Sequence, residues 1–408
     1  MERRMVSFEE ALSIILSKIN PLESKETELL NCLDLVLQED VISPIDIPPF
    51  NNSAMDGYAV RSEDIKRASF EKPVVLEVIE ELWAGKKTKC KIGERKAVKI
   101  MTGAPIPEGA DTVVKVEDTK KIVDRKEYVK IFVSQSPGEN IRLAGENVKR
   151  GELILSKGRV LGPAEIGMAA SLGLTKLKVI RKPKIAVIAT GNELVKPGKK
   201  LKEFMIYESN LYALASLIKK YSGIPINMGI ARDNLAKIKD KINHAIMKSD
   251  LILTSAGVSV GEYDFVREAL ISINGNIYFW QVAVKPGKPL VFGEVHGKPL
   301  FGLPGNPVSN ITSFLLFVRP AILKMMGKKP ENLPIVKAIL EEEIKKKGGR
   351  RHFLRGIIRF DGDRAFVKTT GPQGSGILKS MVLANCLIVI PEDVKFIPHG
   401  EKIDCLLI

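Results

Sequence analysis

Four cysteines are all that 408 residues carry, and Cys32, Cys90, Cys386 and Cys405 show no CxxC pairing. That scarcity excludes a disulfide framework and a cysteine-ligated zinc site. Histidine is as sparse, with His244, His296, His352 and His399 standing apart. A lone histidine is more often a surface or satisfied core residue than a ligand, so histidine-driven nucleophilic chemistry is not expected. Aromatic residues make up only 6%, few for the stacking platforms of a nucleic-acid binder. No apolar run approaches the roughly 18 residues of a membrane span. The start, MERRMVSFEE, lacks the apolar core of a signal peptide. These absences lead us to expect a soluble, cytoplasmic protein with no nucleic-acid or membrane partner.

What is present is basic. The net charge of +15 would suit nucleic acid, an acidic membrane surface or polyanionic small molecules. Abundant Lys, Glu and Ile with scarce Gln give thermal adaptation as the plainer source of most of it. The densest cluster, Lys345–Lys347 with Arg350, Arg351 and Arg355, reads as a solvated loop or as the rim of an anion site.

The length predicts roughly three or four domains. Ser7-x-x-Glu10 is a capping box opening a helix with Ala11, Ile14, Ile15 and Ile19 on one side, ended by Pro21. From Asp46 to about Asn140, short pieces such as PVVLEVI, KAVKIM and DTVVKV alternate with turns, which predicts a small β domain. The stretch that follows, to about Leu177, is expected to fold back on the N-terminal helix, making the β domain an insertion. From Lys184 strand and helix alternate. KIAVIAT, DLILTS, PLVFGEV and PLFGLP read as strands. Ser209 and Asn234 read as the caps of two helices, and VSNITSFLLFVRPAILKMMG as a further helix. Such alternation implies a parallel sheet with helices on both faces, with ligands at the carboxyl ends of its strands. From about Pro334, short β pieces return and predict a separate barrel or sandwich. The expected boundaries are 1–45 with 142–178, then 46–141, 179–328 and 329–408.

The loops at the strand ends carry the chemistry. SAGVSVGEYDF and GLPGNPVSN follow apolar strands, and Gly- or Pro-rich loops at helix starts offer backbone N–H groups to oxyanions. Lys285-Pro286-Gly287-Lys288 places two ammonium groups on a stiff turn between them. Asp56-Gly57 reads as a turn after a stiff double proline. Thr102 would bond a phosphate oxygen or cap a turn. Glu193 follows a strand as a metal ligand or an exposed acid, and Asp233 and Asp264 read most simply as N-caps. Acids gathered near phosphates commonly hold Mg²⁺. Their repeated placement beside the lysine turn points to Mg²⁺-assisted chemistry on a phosphate anhydride.

The segments PPFNNSAMDGYAVR, IMTGAPIPEGADTVV, ATGNEL, TSAGVSVGEYDF, KPGKP and GLPGNPVS, in this order, resemble the molybdopterin molybdenumtransferase family (MoeA and the E domain of gephyrin). GRRHFLRG and GPQGSGILKSMVLAN carry the resemblance into the last domain. It implies a multidomain α/β-plus-β chain of four domains: a central molybdopterin-binding α/β domain, an inserted β domain, an N-terminal mixed domain and a C-terminal β-barrel. It also implies a homodimer whose site is shared between subunits. The implied activity inserts molybdate, or tungstate, into adenylylated molybdopterin and releases AMP with Mg²⁺. By motif match, Asp56, Thr102, Glu193, Asp233 and Asp264 would be the catalytic residues, the last three also holding the metal. Gly257 and Ser259 would hold the pterin substrate, Lys285 and Lys288 would face anions, and Pro304, Asn306 and Pro307 would shape the floor. Arg350, Arg355 and Ser375 would contact molybdate. Asn51, Asn147, Asn192 and Ala256 depart from the residues frequent in the family, respectively Asp, an acid, Asp and Gly. A protein that binds only the oxyanion, and leaves the metal to the dithiolene of its substrate, needs no Cys or His cluster.

Two alternatives are an adenylyltransferase, whose fold the α/β domain resembles, and a non-catalytic scaffold of the gephyrin type. The flanking β domains weigh against the first and the retained acids against the second.

Overall fold

The computed structural model describes residues 5–257 and 265–408. They form two compact units. One contains the chain up to Gln38, Gly158–Pro163 and Lys176–Ile408; the other contains Glu39–Lys157 and Ala164–Thr175.

In the first unit, seven strands form a sheet in the order Met5–Val6, Asn276–Val282, Pro289–Val295, Lys298–Leu303, Leu251–Ser255, Lys184–Thr190 and Ile224–Ala231. Lys184–Thr190 is parallel to both its neighbours, and Leu251–Ser255 is parallel to Lys298–Leu303. Continuous apolar runs such as IAVIA suit strands buried on both faces. Their side chains pack with Ile238, Ile242, Val266 and Leu270 into one core.

The strand–helix alternation that predicts a wholly parallel sheet fails at one strand. Pro289–Val295 runs antiparallel to both its neighbours. Only His296 and Gly297 separate it from Lys298, both at positive φ (47° and 74°), and a two-residue turn of that kind makes a hairpin, since a parallel crossover needs a dozen residues or more.

Helix Phe8–Lys18 opens as expected, with Ser7 accepting the N–H of Glu10 at 3.1 Å. Asn234 likewise accepts from Lys237 at 3.2 Å, at the start of Leu235–Lys248. Ser209 does not cap Asn210–Lys220. The carboxylate of Glu208 accepts the Leu211 N–H at 2.7 Å instead. The helical run Pro307–Met325, expected as a helix, is 19 residues long and apolar enough to cross a membrane by length and composition, against the expectation that no apolar run approaches that length. Its window is 78% buried within the protein, which fits a core helix.

The C-terminal strands close into a five-strand barrel. Arg351–Asp361 pairs with Arg364–Thr369 and Cys386–Ile390. Ile335–Leu340 and Lys402–Leu407 complete the ring. Ala338, Leu340, Val367, Ile388 and Cys405 fill it. Val284–Lys285 adds to the barrel as a parallel strand, setting Lys285 opposite His352.

The second unit holds a six-stranded sheet, ordered Thr112–Lys115, Gly57–Val60, Lys96–Ile100, Val74–Leu82, Glu127–Ile131 and Thr119–Val123. Gly57, expected to serve a turn, begins a strand. A Cβ there would lie 1.9 Å from the carbonyl oxygen of Val114, so close backbone approach requires glycine.

Candidate active site

Two cavities adjoin in the first unit, with Pro289, Pro304 and Asn306 lining both. The larger, about 880 Å³, is lined by Lys285, Lys288, Lys345, Lys346, Lys347, Arg350, His352, Arg355 and Ser375 among others. Its position follows from the local chain. The Lys285-to-Lys288 turn leads from the barrel-edge strand into Pro289–Val295. Gly287 sits at φ +105° where a Cβ would meet Ser313 Oγ at 2.7 Å, so the turn packs directly on the buried helix. Ser375 is drawn in because its carbonyl accepts the N–H of Val308, in the first turn of that helix, at 3.2 Å.

The basic cluster near residue 350 divides. Arg351 leaves the cavity and pairs with Glu9 at 2.6 Å and Glu392 at 3.2 Å. Lys345 pairs with Glu343 at 2.7 Å, and Lys346 donates to the carbonyls of Arg350 and Glu392 at 2.8 and 3.2 Å. Among the described residues, Lys285, Lys288, Lys347, Arg350 and Arg355 have no carboxylate partner. Arg355 is the largest of the fully buried side chains, 1% exposed. Its guanidinium donates to Ser380 Oγ at 3.0 Å and Gly374 O at 3.1 Å, and burial pulls its pKa down. An uncompensated buried cation is costly unless an anion joins it. His352, 5% exposed, is pushed down to about 4 by burial and then by Lys346, Lys285 and Arg350. It is neutral near pH 7. The sequence reading, which treated each histidine as isolated, missed it as a wall of this cavity.

The smaller cavity, about 560 Å³, is lined by Thr190, Glu193, Glu208, Asn210, Ser255, Gly257, Pro304, Asn306 and Pro307 among others. Glu193 lines this cavity, whereas Asp233 does not and is tied instead to Asn192, the residue before Glu193. Asn192 donates its N–H to Asp233 Oδ2 at 3.0 Å, and its Oδ1 accepts the Asp233 N–H at 3.2 Å. Asp233 thus ties two strand-end loops together, and the helix cap beside it is Asn234. Ala256, where the family often has Gly, sits at φ 72°, a left-handed conformation that strains a residue bearing Cβ. Glu208, which the sequence reading missed, is 4% exposed; burial raises its carboxyl pKa and its Oε2 has no partner. Ser259 and Asp264 lie outside the described residues.

Asp56 and Thr102 belong to the second unit. Asp56 Oδ1 accepts both the N–H and the hydroxyl of Thr102, at 2.7 and 2.8 Å. Those bonds hold the Asp56 carboxyl below its ordinary range, the backbone one foremost. Thr102 therefore orients Asp56 and, among the described residues, leaves its Oδ2 open. Asn51 Oδ1 accepts the Ala144 N–H at 2.8 Å, a bond that an aspartate would make equally well.

Among the described residues, no three His, Cys, Asp or Glu side chains gather as a metal cage. Mg²⁺ is ordinarily held by one or two carboxylates together with waters and substrate phosphates. The pair Glu193 and Asp233 fits that open mode by donor type.

An α/β unit that carries a barrel and a cation-lined cavity, in one chain with a β-rich second unit, points to a cofactor-building class. Three family models match in succession: "MoeA N-terminal region (domain I and II)" over residues 6–173, "Probable molybdopterin binding domain" over 186–324 and "MoeA C-terminal region (domain IV)" over 337–408. A molybdopterin molybdenumtransferase of Haemophilus influenzae is 37% identical over 404 residues, covering 98% of each chain. Molybdopterin molybdenumtransferase 2 of Mycobacterium tuberculosis is 39% identical, covering 90% of this chain and 91% of its own. The crystal structure of a molybdopterin biosynthesis MoeA protein from Pyrococcus horikoshii superposes with a TM-score of 0.80 at 36% identity, covering 99% of both chains. The chain belongs to the molybdopterin molybdenumtransferase family and is a transferase of molybdenum cofactor biosynthesis.

Proposed function

We propose that this protein inserts molybdate, or tungstate, into adenylylated molybdopterin and releases AMP. The observation that carries this reading is the larger cavity, where five cationic side chains lack a carboxylate partner among the described residues. Lys285, Lys288, Arg350 and Arg355 seat the dianion, with the Ser375 hydroxyl as a further donor. Guanidinium and ammonium groups suit tetrahedral oxyanions by charge and donor geometry. The adjoining cavity takes the adenylylated substrate between the Gly257 loop and Pro304-to-Pro307, so that Pro304 and Asn306 border both anions. Glu193 and Asp233, with Asp264 as a further acid, would hold Mg²⁺, which would supply neutralisation of phosphate charge when bound. Asp56, kept ionised by Thr102, is a poor general base. In a homodimer whose site is shared between subunits, as the resemblance implies, its open oxygen would instead orient a water or hydroxyl at the anhydride.

In the same reading the chain divides into the four domains set out above and works in the cytoplasm as a homodimer. Light scattering on the eluted protein tests the dimer, and a monomer at working concentration would refute it. The activity is tested by following AMP release from adenylylated molybdopterin with molybdate present, for wild type, Asp56→Ala and Lys285→Ala. Loss of release in both variants supports the assigned roles; wild-type rates in both remove them.

A further inference from the structure

Ser255 ends strand Leu251–Ser255 and is only 2% exposed. Its Oγ accepts two hydrogen bonds, from Asn210 Nδ2 at 2.9 Å and Asn310 Nδ2 at 3.2 Å. Each amide directs its other N–H to the loop before the core helix. Asn210 donates to Gly305 O at 2.7 Å and Asn310 to Pro304 O at 3.0 Å. A side-chain amide has two N–H donors, so the donors of both amides are spent, while Asn210 Oδ1 and Asn310 Oδ1 are buried without a partner. The amide orientations are fixed by their partners: turned over, each would set its own oxygen against a carbonyl. A hydroxyl has two lone pairs and one proton. Both lone pairs of Ser255 are occupied, so the group can act only as a donor. Among the described residues its proton meets no acceptor. Ser255 lines the smaller cavity beside Ala256, Gly257 and Asn306.

A buried donor without an acceptor is costly, and so points to a group that completes it. Two N–H donors on one hydroxyl oxygen also polarise its O–H and strengthen it as a donor. Because Asn210, Ser255 and Asn310 lie on three separate elements, the hydroxyl is held from three sides.

We propose that Ser255 is a substrate-binding residue whose hydroxyl is locked as a donor to a phosphate oxygen of the adenylylated substrate, with Asn210 and Asn310 as the residues that lock it. The identity of the ligand rests on the function proposed above; the donor geometry does not. The same amides fix the carbonyls of Pro304 and Gly305, so the loop shared by the two cavities takes its shape from this hub.

The test is calorimetric binding of AMP and, separately, of molybdate to the full chain as wild type, Ser255→Ala and Ser255→Cys. Ser255→Ala is expected to weaken AMP about tenfold or more, the range for a hydrogen bond to a charged group. Molybdate affinity should stay within about twofold, because the alanine removes no charge from its cavity. Cysteine, a weaker donor of similar size, should fall between. Equal AMP affinity in wild type and Ser255→Ala overturns the proposal, as does a wild type that binds no AMP. Parallel loss of AMP and molybdate overturns it too, since that marks a collapsed site. For the positioning residues, Asn210→Ala should raise KM for adenylylated molybdopterin by about threefold or more with kcat little changed; a fall in kcat alone contradicts the assignment. A wild type that binds AMP through Ser255 yet releases none from adenylylated molybdopterin would sink the proposed function and leave this site standing.

Discussion

The larger cavity of the α/β-and-barrel unit recruits charge, whereas the smaller one recruits fixed dipoles. The first gathers Lys285, Lys288, Lys347, Arg350 and Arg355, none with a carboxylate partner among the described residues, while its two glutamates, Glu342 and Glu343, are taken by the Thr369 N–H and by Lys345. The second presents Ser255, held by two amides, and the acids Glu193 and Glu208. Point charges attract any dianion over several ångströms and are screened by salt. Locked neutral donors act only at contact and discriminate by geometry. A protein that must hold an inorganic oxyanion beside a large phosphorylated ligand gains from keeping these two modes apart. It avoids offering the organic phosphate a better site among the lysines.

The comparison breaks most readily at Arg355. Arg355→Ala removes a buried cation and its bonds to Ser380 and Gly374. It should cost about 100-fold in molybdate affinity, from roughly 1.5–3 kcal/mol per charge-assisted bond. AMP affinity, measured in parallel by calorimetry, should move far less, and equal losses would erase the distinction. Next in size, raising salt from about 0.05 to 0.5 M should weaken molybdate binding several-fold more than AMP binding, since the Debye length shrinks well below the cavity width. Equal salt slopes would mean that both cavities bind by charge.

His352 sharpens the contrast through pH. Its folded pKa of about 4 lies below its ordinary value of 6.5. The unfolded chain therefore binds the extra proton over that interval. His352 contributes stability that is complete above pH 6.5 and is lost as pH falls toward 4. Thermal melts of wild type and His352→Gln between pH 7.5 and 4.5 should show a shallower acid decline in the variant; parallel curves would mean that neither burial nor the cationic neighbours hold the histidine neutral. The smallest effect is expected at Ala256. Relief of its left-handed strain by Ala256→Gly should offset glycine's greater unfolded-state entropy and leave stability level or about 1 kcal/mol higher. A loss of more than about 1 kcal/mol in denaturant melts would show that the Cβ contacts matter more than the strain.

Much of this was legible in the sequence where the causes are local. The Ser7 and Asn234 caps, the apolar strand runs and the lysine turn each depend on residues close along the chain, and each is found where expected. What escaped was set by distant partners. Asp56 is oriented by Thr102, 46 positions later, so no spacing rule connects them. Glu208 displaces Ser209 as a helix cap because its longer side chain reaches the Leu211 N–H. The basic run at Arg350–Arg355 reads as a solvated loop or as the rim of an anion site, and only strand alternation and barrel closure divide it, burying Arg355 and handing Arg351 to Glu9 and Glu392. The hairpin at His296–Gly297 was readable from its two-residue spacing, but the β-strand and helix alternation around it suggested another parallel pair.

The claim on which the rest depends is that the cation-lined cavity holds the oxyanion. Anomalous diffraction from a crystal soaked in tungstate reads this directly. The expected result is one strong peak within hydrogen-bonding reach of Lys285, Lys288, Arg350 and Arg355. A peak confined to the Ser255 cavity, or a fully soaked crystal with none between those four side chains, would contradict it.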